Sequence, residues 1–428
     1  MTSTHFKLKN GIRTHLIPFD STDAATILVL CKVGSRYETP AISGASHFIE
    51  HMMFKGTKRR PATLDISRAL DAVGAEYNAY TGKDLTGYYV KVDSPHVGLA
   101  IDVLHDMLFH SVYAKPEMDR ERKVIMEEIN MYEDNPIMYV EELLEQSLFA
   151  GSPLGWEIAG SHATMRAMKR QDVLAYRDTY YVPSRLVIAA SGKLPQDVRS
   201  RLEATFGTVK EGKTSPAEFE PFSALPVFRA PRVRVRHQKT QQVQLAFGFP
   251  SYGIADERNL VAKMLGIILG GTMSSRLFVA VREKRGLAYS VRASQSYYED
   301  VGNFTIQAGL DKSRLPLALR TLFQELRLVK RLGVKPAELR LAQSYISGKL
   351  KLKFEDSSYR AEYVGRQEVF KGSVETPEEY LRKIEKITPT QVHQVARDIL
   401  DGGRLHVACI GPYRTPVAFL KQSALPTL

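Results

Sequence analysis

The chain has 428 residues, of which 44 % are apolar and 25 % charged, and its formal net charge is +12. This length exceeds what one compact core ordinarily supports, so a globular protein of two or more domains is expected. There is no apolar run long enough to span a bilayer and no apolar signal core at the amino terminus, which predicts a cytoplasmic protein without a membrane partner. Cys31 and Cys409 lie in strand-like runs and are predicted to be buried thiols rather than a disulfide.

A net positive charge is one mark of proteins that bind nucleic acid. In this chain lysine and arginine are interspersed with acidic residues. The exception is the basic tract 231–239, where apolar and basic residues alternate as in a strand with one solvated face. We therefore predict no nucleic-acid partner, and salt-dependent binding to DNA or RNA would contradict this prediction.

Apolar periodicity predicts the elements of the first half in chain order. Two strands are followed by a short helix over 44–57, a second helix, a strand pair, three helices and a closing helix, turn and strand. Residues 211–230 then carry proline and serine with little periodicity, and they are predicted to be a linker.

The order of elements returns after this linker. Residues 168–192 align without gaps on residues 387–411, with matching apolar, arginine and glycine positions. The repetition predicts a duplicated fold of the α+β class, with homologous domains at 1–210 and 231–428. Each domain is expected to be a mostly antiparallel sheet with helices packed on one side.

The stretch 44–57, GASHFIEHMMFKGT, carries two histidines and a glutamate within an apolar helix. His47 and His51 are four residues apart, so they lie one turn apart on the same helix face, as zinc ligands must. Glu50 lies on the adjoining flank, where it can reach a water on the metal without being a ligand. This H-x-x-E-H order is the reverse of the H-E-x-x-H motif of other zinc peptidases. It predicts Glu50 as the general base. A core helix whose histidines are satisfied by hydrogen bonds is the alternative interpretation of this pattern alone.

A catalytic zinc ion takes a third protein ligand, and the segment 121–133 supplies candidates. In a helix of this sequence, Glu121 and Glu128 fall within the apolar stripe, whereas Glu127 lies nearer the solvated side. A buried carboxylate is costly unless it is paired or bound to a cation. We therefore predict Glu128 as the third ligand and Glu121 as an auxiliary acid behind the site.

Together these segments resemble the pitrilysin/insulinase family of zinc metallopeptidases, which includes the mitochondrial processing peptidase and shorter bacterial members. The histidine motif, Glu128 within ERKVIMEE, and two further segments carry the resemblance: NAYTGKDLTGYYVKV (78–92) and GGTMSSRLFVAVREKRGLAYSV (270–291). The resemblance implies one zinc ion per chain. It implies His47, His51 and Glu128 as the zinc ligands and Glu50 as the general base, which are the residues that the patterns above predict. It gives Glu121 the role of a further glutamate needed for activity.

The resemblance also implies how substrate is held. An edge strand is expected to add a peptide through backbone hydrogen bonds; its residues are Asn78, Ala79, Tyr80 and Thr81. Arg282 and Tyr289 match an arginine–tyrosine pair that reaches the substrate backbone near the zinc. By sequence alone, Arg282 would be a surface ion-pair partner and Tyr289 a packed strand residue. Thr272 and Met273 depart from the glycine-rich sequence of many relatives.

The sequence therefore predicts a zinc endopeptidase acting on peptides or flexible polypeptide segments. Family members of this length are expected to act in pairs, so a homodimer, or a heterodimer with a homologue, is predicted. In a homodimer Arg282 and Tyr289 would act at the zinc of the other subunit. The alternative is a catalytically silent scaffold subunit, as in the core proteins of the respiratory bc1 complex, which share this fold.

Overall fold

The structure is a computed structural model, and it describes residues 3–212, 215–223, 227–228 and 230–428. Among the helices of these residues, none combines the length and the apolar character that crossing a bilayer requires. The contacts between residues divide the chain into two units. The first unit consists of Met1–Ile129, Trp156–Glu220 and Leu350–Pro377, and the second of Asn130–Gly155, Pro221–Lys349 and Glu378–Leu428.

A six-stranded sheet forms the centre of the first unit. Its strands are β1 (Thr4–Lys7), β2 (Arg13–Pro18), β3 (Ala24–Cys31), β4 (Glu76–Thr81), β5 (Thr86–Asp93) and β6 (Leu186–Gly192). They lie in the order β1-β2-β6-β3-β5-β4, and neighbouring strands are antiparallel except for β2 and β6. Strand β4 therefore lies at one edge of the sheet, where it pairs with β5.

A five-stranded sheet forms the centre of the second unit. Its strands are β7 (Arg232–His237), β8 (Gln242–Tyr252), β9 (Ala288–Tyr297), β10 (Val301–Asp311) and β11 (His406–Gly411). Their order is β7-β11-β8-β10-β9, with β7 and β11 parallel and the other neighbours antiparallel. The order and directions repeat those of β2-β6-β3-β5-β4. The predicted duplication of a mostly antiparallel α+β domain is thus confirmed.

The helices before β7 are α1 (Ala45–Met53), α2 (Thr63–Asp71), α3 (Val97–His110), α4 (Lys115–Asp134), α5 (Pro136–Leu148), α6 (His162–Ala167), α7 (Arg170–Tyr180) and α8 (Val198–Ala204). Those after it are α9 (Arg258–Gly266), α10 (Leu315–Leu332), α11 (Pro336–Lys353), α12 (Ser357–Lys371), α13 (Pro377–Lys386), α14 (Pro389–Ile399) and α15 (Pro416–Ser423). Two π-helical turns, Ile267–Gly271 and Phe278–Glu283, lie between α9 and β9.

Strand β3 is buried on both of its faces. Ile27 and Val29 point into the core that β5 forms with α1, α3, α4 and α7. Leu28 and Leu30, between them in sequence, point into a smaller core beneath α12. Such double burial explains the continuous apolar run of this strand. The thiol of Cys31, at its end, is buried and free, as is that of Cys409 in β11.

Each half of the sequence contributes one helix to the sheet of the other half. Helix α12, from the second half, covers the first sheet, where a Cβ at Gly365 would lie 2.8 Å from Leu30. Helix α5, from the first half, packs on the second sheet, where a Cβ at Gly248 would lie 2.8 Å from a methyl of Leu144. Glycine at both positions thus permits close contact between helix and strand.

The exchange makes each unit discontinuous, whereas the sequence predicts contiguous domains at 1–210 and 231–428. The other helices of each half pack on one face of their own sheet, as predicted, and the exchanged helix covers the opposite face. Within the predicted linker 211–230, residues 213–214, 224–226 and 229 lie outside the described residues. The described remainder contains no helix or strand.

A fragment of residues 1–210 tests the exchange. It lacks α12, so the apolar face formed by Leu28, Leu30, Val187 and Ala189 would be exposed. We expect the fragment to aggregate and to show no cooperative thermal unfolding by circular dichroism, and we expect co-expression with residues 350–377 to improve its solubility. A soluble fragment that unfolds cooperatively by itself would show that α12 is dispensable for the first sheet.

Candidate metal centre

Helix α1 lies at the margin of the first core rather than inside it. It begins after Gly44, whose φ of 96° is in the left-handed region that glycine readily adopts. Phe48 and Met52 are among its fully buried side chains, whereas His47 and His51 are half-buried. The two imidazoles therefore lie where an apolar helix face meets solvent, which is where a substrate can reach them.

Three ligand atoms converge at this margin. His51 Nε2 lies 3.2 Å from His47 Nε2. Glu128 Oε2 lies 3.7 Å from His47 Nε2 and 3.5 Å from His51 Nε2. Ligand atoms about 2.0–2.1 Å from a tetrahedral zinc ion are separated by about 3.3 Å. The spacing and the chemistry of this donor set fit zinc.

Helix α4 brings Glu128 to the site from the edge of its buried face. The buried side chains of this helix are Met118, Glu121, Ile125 and Ile129. Val124 and Met131 are 48 % and 56 % exposed, so the apolar stripe expected from the sequence is too wide. Glu128 is half-buried at the border of the narrower stripe and Glu127 is exposed. A ligand at this border can meet both the imidazoles and solvent.

Glu121 contacts His51 on the side of the ring that faces away from the other ligand atoms. Its carboxylate accepts a hydrogen bond from His51 Nδ1 at 2.8 Å and lies 2.8 Å from Lys55 Nζ. Burial raises the pKa of Glu121, but the bonds from His51 and Lys55 outweigh it and hold that pKa below its ordinary value. The bond fixes the proton of a neutral His51 on Nδ1, so Nε2 presents its lone pair to the metal position. Sequence reasoning missed Lys55, although it lies one helical turn after His51.

The two imidazoles differ in proton affinity when no cation lies between them. Burial, with a smaller effect of the neighbouring His51, lowers the pKa of His47 to about 4. Burial also lowers the pKa of His51, but the hydrogen bonds and charges of Glu121 and Glu128 prevail and raise it to about 9. Below that pH the His51 ring carries a proton that an incoming metal ion must displace.

Glu50 is held beside the ligands by the edge strand. Its Oε2 accepts a hydrogen bond of 2.5 Å from Thr81 Oγ1. Burial raises the pKa of Glu50, opposed by the Thr81 bond and by the charge of His51. A raised pKa suits a group that must take up a proton near neutral pH.

Strand β4 directs alternate backbone groups toward its open edge. Gly82 N–H bonds Leu85 O at 2.8 Å and closes the β4–β5 hairpin. Counting back from that pair, alternate residues bond β5, so Ala79 and Thr81 direct their N–H and C=O groups to the open edge. The Ala79 N–H is bonded there by the side chain of Asn78, with N to Oδ1 2.8 Å.

The side chains of the predicted substrate strand do not share one face. Ala79 packs into the core that contains α1, and Thr81 reaches Glu50. The Tyr80 hydroxyl instead donates to Glu362 on α12, and Asn78 is exposed. Thr81 is thus the one of these four side chains bonded to the predicted catalytic residue.

Arg282 and Tyr289 lie together in the second unit. Arg282 belongs to the π-helical turn before β9, and its guanidinium carbon lies 5.4 Å from the ring centre of Tyr289 and 4.7 Å from that of Phe278. The Tyr289 side chain is 74 % exposed, so the alternative of a packed strand residue is wrong. Their stacking is a cation–π contact.

A second group of possible ligands, His5, His15 and Glu368, has the features of a structural ion pair. His15 Nε2 lies 2.9 Å from Glu368, and Arg13 lies 3.4 Å from the same carboxylate. The His5 and His15 rings stack with centres 4.5 Å apart and planes 14° apart. Imidazole lone pairs lie in the ring plane, so two nearly parallel rings do not aim at one ion. The group ties β2 to α12.

Comparison with known proteins identifies the family of this chain. The profile of the family described as Insulinase (Peptidase family M16) matches residues 16–162, and the profile described as Peptidase M16 inactive domain matches residues 167–346. The histidine motif falls in the first of these regions. The chain has the two-domain fold of M16 peptidases. The chain belongs to the insulinase family, peptidase family M16.

Relatives extend over nearly the whole chain. An uncharacterized zinc protease of Streptomyces coelicolor is 38 % identical over 95 % of this chain and 89 % of its own length. Another, from Bacillus subtilis, is 35 % identical over 92 % of this chain and 95 % of its own. A protease from Helicobacter pylori has the same fold, with a TM-score of 0.90 at 20 % identity over 96 % of this chain and 99 % of that one. A chain of complex III2 from Candida albicans has a TM-score of 0.82 at 16 % identity. The match covers 98 % of this chain and 99 % of that one.

Proton release on metal binding tests the role of Glu121. At pH 8, binding should release close to one proton from His51, because the pKa of His51 is raised to about 9, in addition to any proton released by a water on the metal. Glu121→Gln removes one of the two charges that raise this pKa, so less of His51 is protonated before binding and the total release should be clearly smaller than that of the wild type. Calorimetry in buffers of different ionisation enthalpy measures the number.

Glu127→Gln, on the exposed face of the same helix, is the control and should release as many protons as the wild type. Equal release by the wild type and Glu121→Gln would show that Glu121 does not set the protonation of His51.

Proposed function

We propose that the protein is a zinc-dependent endopeptidase that hydrolyses peptides or flexible polypeptide segments, with one zinc ion per chain. The observation that carries the proposal is the convergence of His47, His51 and Glu128 within 3.2–3.7 Å of one another. Three protein ligands with one open position are the arrangement of hydrolytic zinc sites. Relatives named zinc proteases support the proposal.

The residues around the ligands have separate roles in hydrolysis. His47, His51 and Glu128 would hold the zinc ion, which would supply Lewis-acid chemistry: a lowered pKa, about 7, for a bound water and polarisation of the scissile carbonyl. Glu50 accepts a proton from the attacking water and passes it to the leaving amine. Thr81 holds Oε2 of Glu50, which leaves the other carboxylate oxygen for this transfer. Glu121 keeps the His51 ring oriented and the proton of its neutral form on Nδ1.

Substrate is proposed to bind as an added strand along β4. The outward N–H and C=O groups of Ala79 and Thr81 would pair with an extended peptide, which would replace the Asn78 side chain on the Ala79 N–H. This mode requires a flexible or unfolded substrate. Arg282 and Tyr289 are proposed to hold the substrate backbone, with Tyr289 offering an exposed ring and hydroxyl.

We propose a homodimer as the active form, in which this pair serves the zinc of the other subunit. The matched relatives are chains of similar length, since the alignments cover 89 % and 95 % of their own length. A silent scaffold subunit is the second candidate, because a chain of complex III2 shares the fold. The complete set of His47, Glu50, His51 and Glu128 favours the enzyme.

Glu50→Gln separates the two candidates. The amide cannot accept a proton, so we expect peptide hydrolysis to fall by about 10²–10⁴-fold while zinc content stays at one per chain. Cleavage of a quenched fluorescent peptide library and metal analysis measure the two quantities, and a chelator should abolish wild-type activity until zinc is returned. Glu127→Gln is the matched control. Hydrolysis by Glu50→Gln at the wild-type rate would remove Glu50 from the mechanism, and a wild type that cleaves nothing would favour the scaffold.

Ala79→Pro tests the edge strand. Proline removes the outward N–H at a position where β5 does not need it, so the fold should tolerate the change. Loss of one backbone hydrogen bond should raise KM by about tenfold with little change in kcat. Asn78→Ala frees the same N–H and should lower KM. An unchanged KM in Ala79→Pro would place the substrate elsewhere.

A further inference from the structure

Helix α1 has no N-cap side chain of its own. Its N-cap residue is Gly44, and the first N–H groups of a helix have no acceptor within the helix. Glu38, which precedes the helix in sequence, supplies two acceptors with its carboxylate. Its Oε2 accepts a hydrogen bond from Gly44 N–H and its Oε1 accepts one from Ser46 N–H, each at 2.7 Å. The Glu38 side chain is buried, so these two bonds are shielded from solvent.

The same segment also holds the β4–β5 turn. Ser35 N–H bonds Gly82 O at 3.2 Å, and Arg36 N–H bonds Lys83 O at 3.0 Å. The Arg36 guanidinium lies 3.3 Å from Asp84, and both side chains are buried. The turn that ends strand β4 is thus fixed by two backbone hydrogen bonds and a buried ion pair.

Close contact at Gly34 completes the junction. A Cβ at this position would lie 2.2 Å from Gly82 O, so a larger residue would push the turn away. The Tyr176 hydroxyl donates to Gly34 O at 3.0 Å and accepts from Ser46 Oγ at 3.1 Å. A second path of hydrogen bonds therefore connects this segment to α1.

We propose that Gly34–Glu38, here called the bracket, sets the position of the metal-bearing helix relative to the substrate strand. Glu38 holds the helix that carries the ligands and Glu50, and the Arg36–Asp84 pair holds the strand that brings Thr81 to Glu50. The inference rests on the proposed function and adds positioning residues to it. Glu38 and Arg36 act through α1 and β4, not by contact with metal or substrate.

The two ends of the bracket have separable effects. Without Glu38, two N–H groups of the first turn of α1 lose their acceptor, and the imidazoles lose their fixed position. Metal affinity and kcat should therefore fall while KM changes little. Loss of the Arg36–Asp84 pair frees the turn of β4, so KM should rise while metal affinity stays unchanged.

Glu38→Gln and Glu38→Ala test the helix end. Cobalt titration of the chelator-treated, full-length protein should give an affinity about 10–100-fold weaker for Glu38→Ala and a changed visible absorption of the bound cobalt. Glu38→Gln keeps the size and one acceptor oxygen, so its loss should be intermediate. Thr388→Ala removes the N-cap bond of α14 in the second unit and is the control for loss of a cap alone. It should bind cobalt as the wild type does.

The double variant Arg36→Met/Asp84→Leu tests the strand end. It replaces both members of the buried pair by apolar side chains, so neither of the two charges is left buried without the other. We expect KM for a fluorescent peptide to rise about tenfold, with cobalt affinity within twofold of the wild type.

The outcomes are distinct. Wild-type cobalt affinity, spectrum and kcat in both Glu38 variants would overturn the inference, as would losses that only follow the folded fraction measured by circular dichroism. An unchanged KM in the double variant would overturn its strand half. A wild type that binds no metal would overturn the proposed function, which is a separate result.

Discussion

Two imidazoles and three carboxylates gather at one margin of the first core, and the cost of burying their charges is the constraint on which the site depends. Glu121 is neutralised by Lys55 and His51. Glu128 has the two histidines as its nearest partners. A divalent cation held by His47, His51 and Glu128 would replace the proton on His51, so metal binding, protonation and local stability would be linked.

The sheets supply the rigid frame for this chemistry. Strand β3 is buried on both faces because α12 covers the side that α1 and α4 do not. The adjacent strand β5 holds β4 in place, and β4 delivers Thr81 to Glu50. In the second sheet β9 occupies the equivalent edge, and it begins next to the Arg282–Tyr289 pair. The duplicated fold thus places chemistry-bearing residues at equivalent edges of its two sheets.

Local periodicity accounts for what the sequence could predict. Spacing of four residues places His47 and His51 together, and the helical pattern of α4 distinguishes Glu128 from Glu127. The exchange of α5 and α12 was not predictable, because an apolar helix face shows that it is buried and not which sheet buries it. Glu38 was missed for a related reason: its acceptor role depends on N–H groups six and eight residues later that a folded turn brings back to it.

The N-terminus of α1 has no room for an N-cap side chain, which explains why the acceptor for its first N–H groups belongs to another segment. A Cβ at Gly44 would lie 2.4 Å from Met165 and 2.7 Å from Ala159 O, and the φ of 96° disfavours any other residue. A serine or aspartate at this N-cap, the usual solution, is therefore excluded. The first turn must take its acceptor from a neighbouring segment, and Glu38 belongs to the segment that also holds the β4 turn. Fixing the helix end in this way connects α1 to the turn of β4, in addition to the direct bond from Thr81 to Glu50.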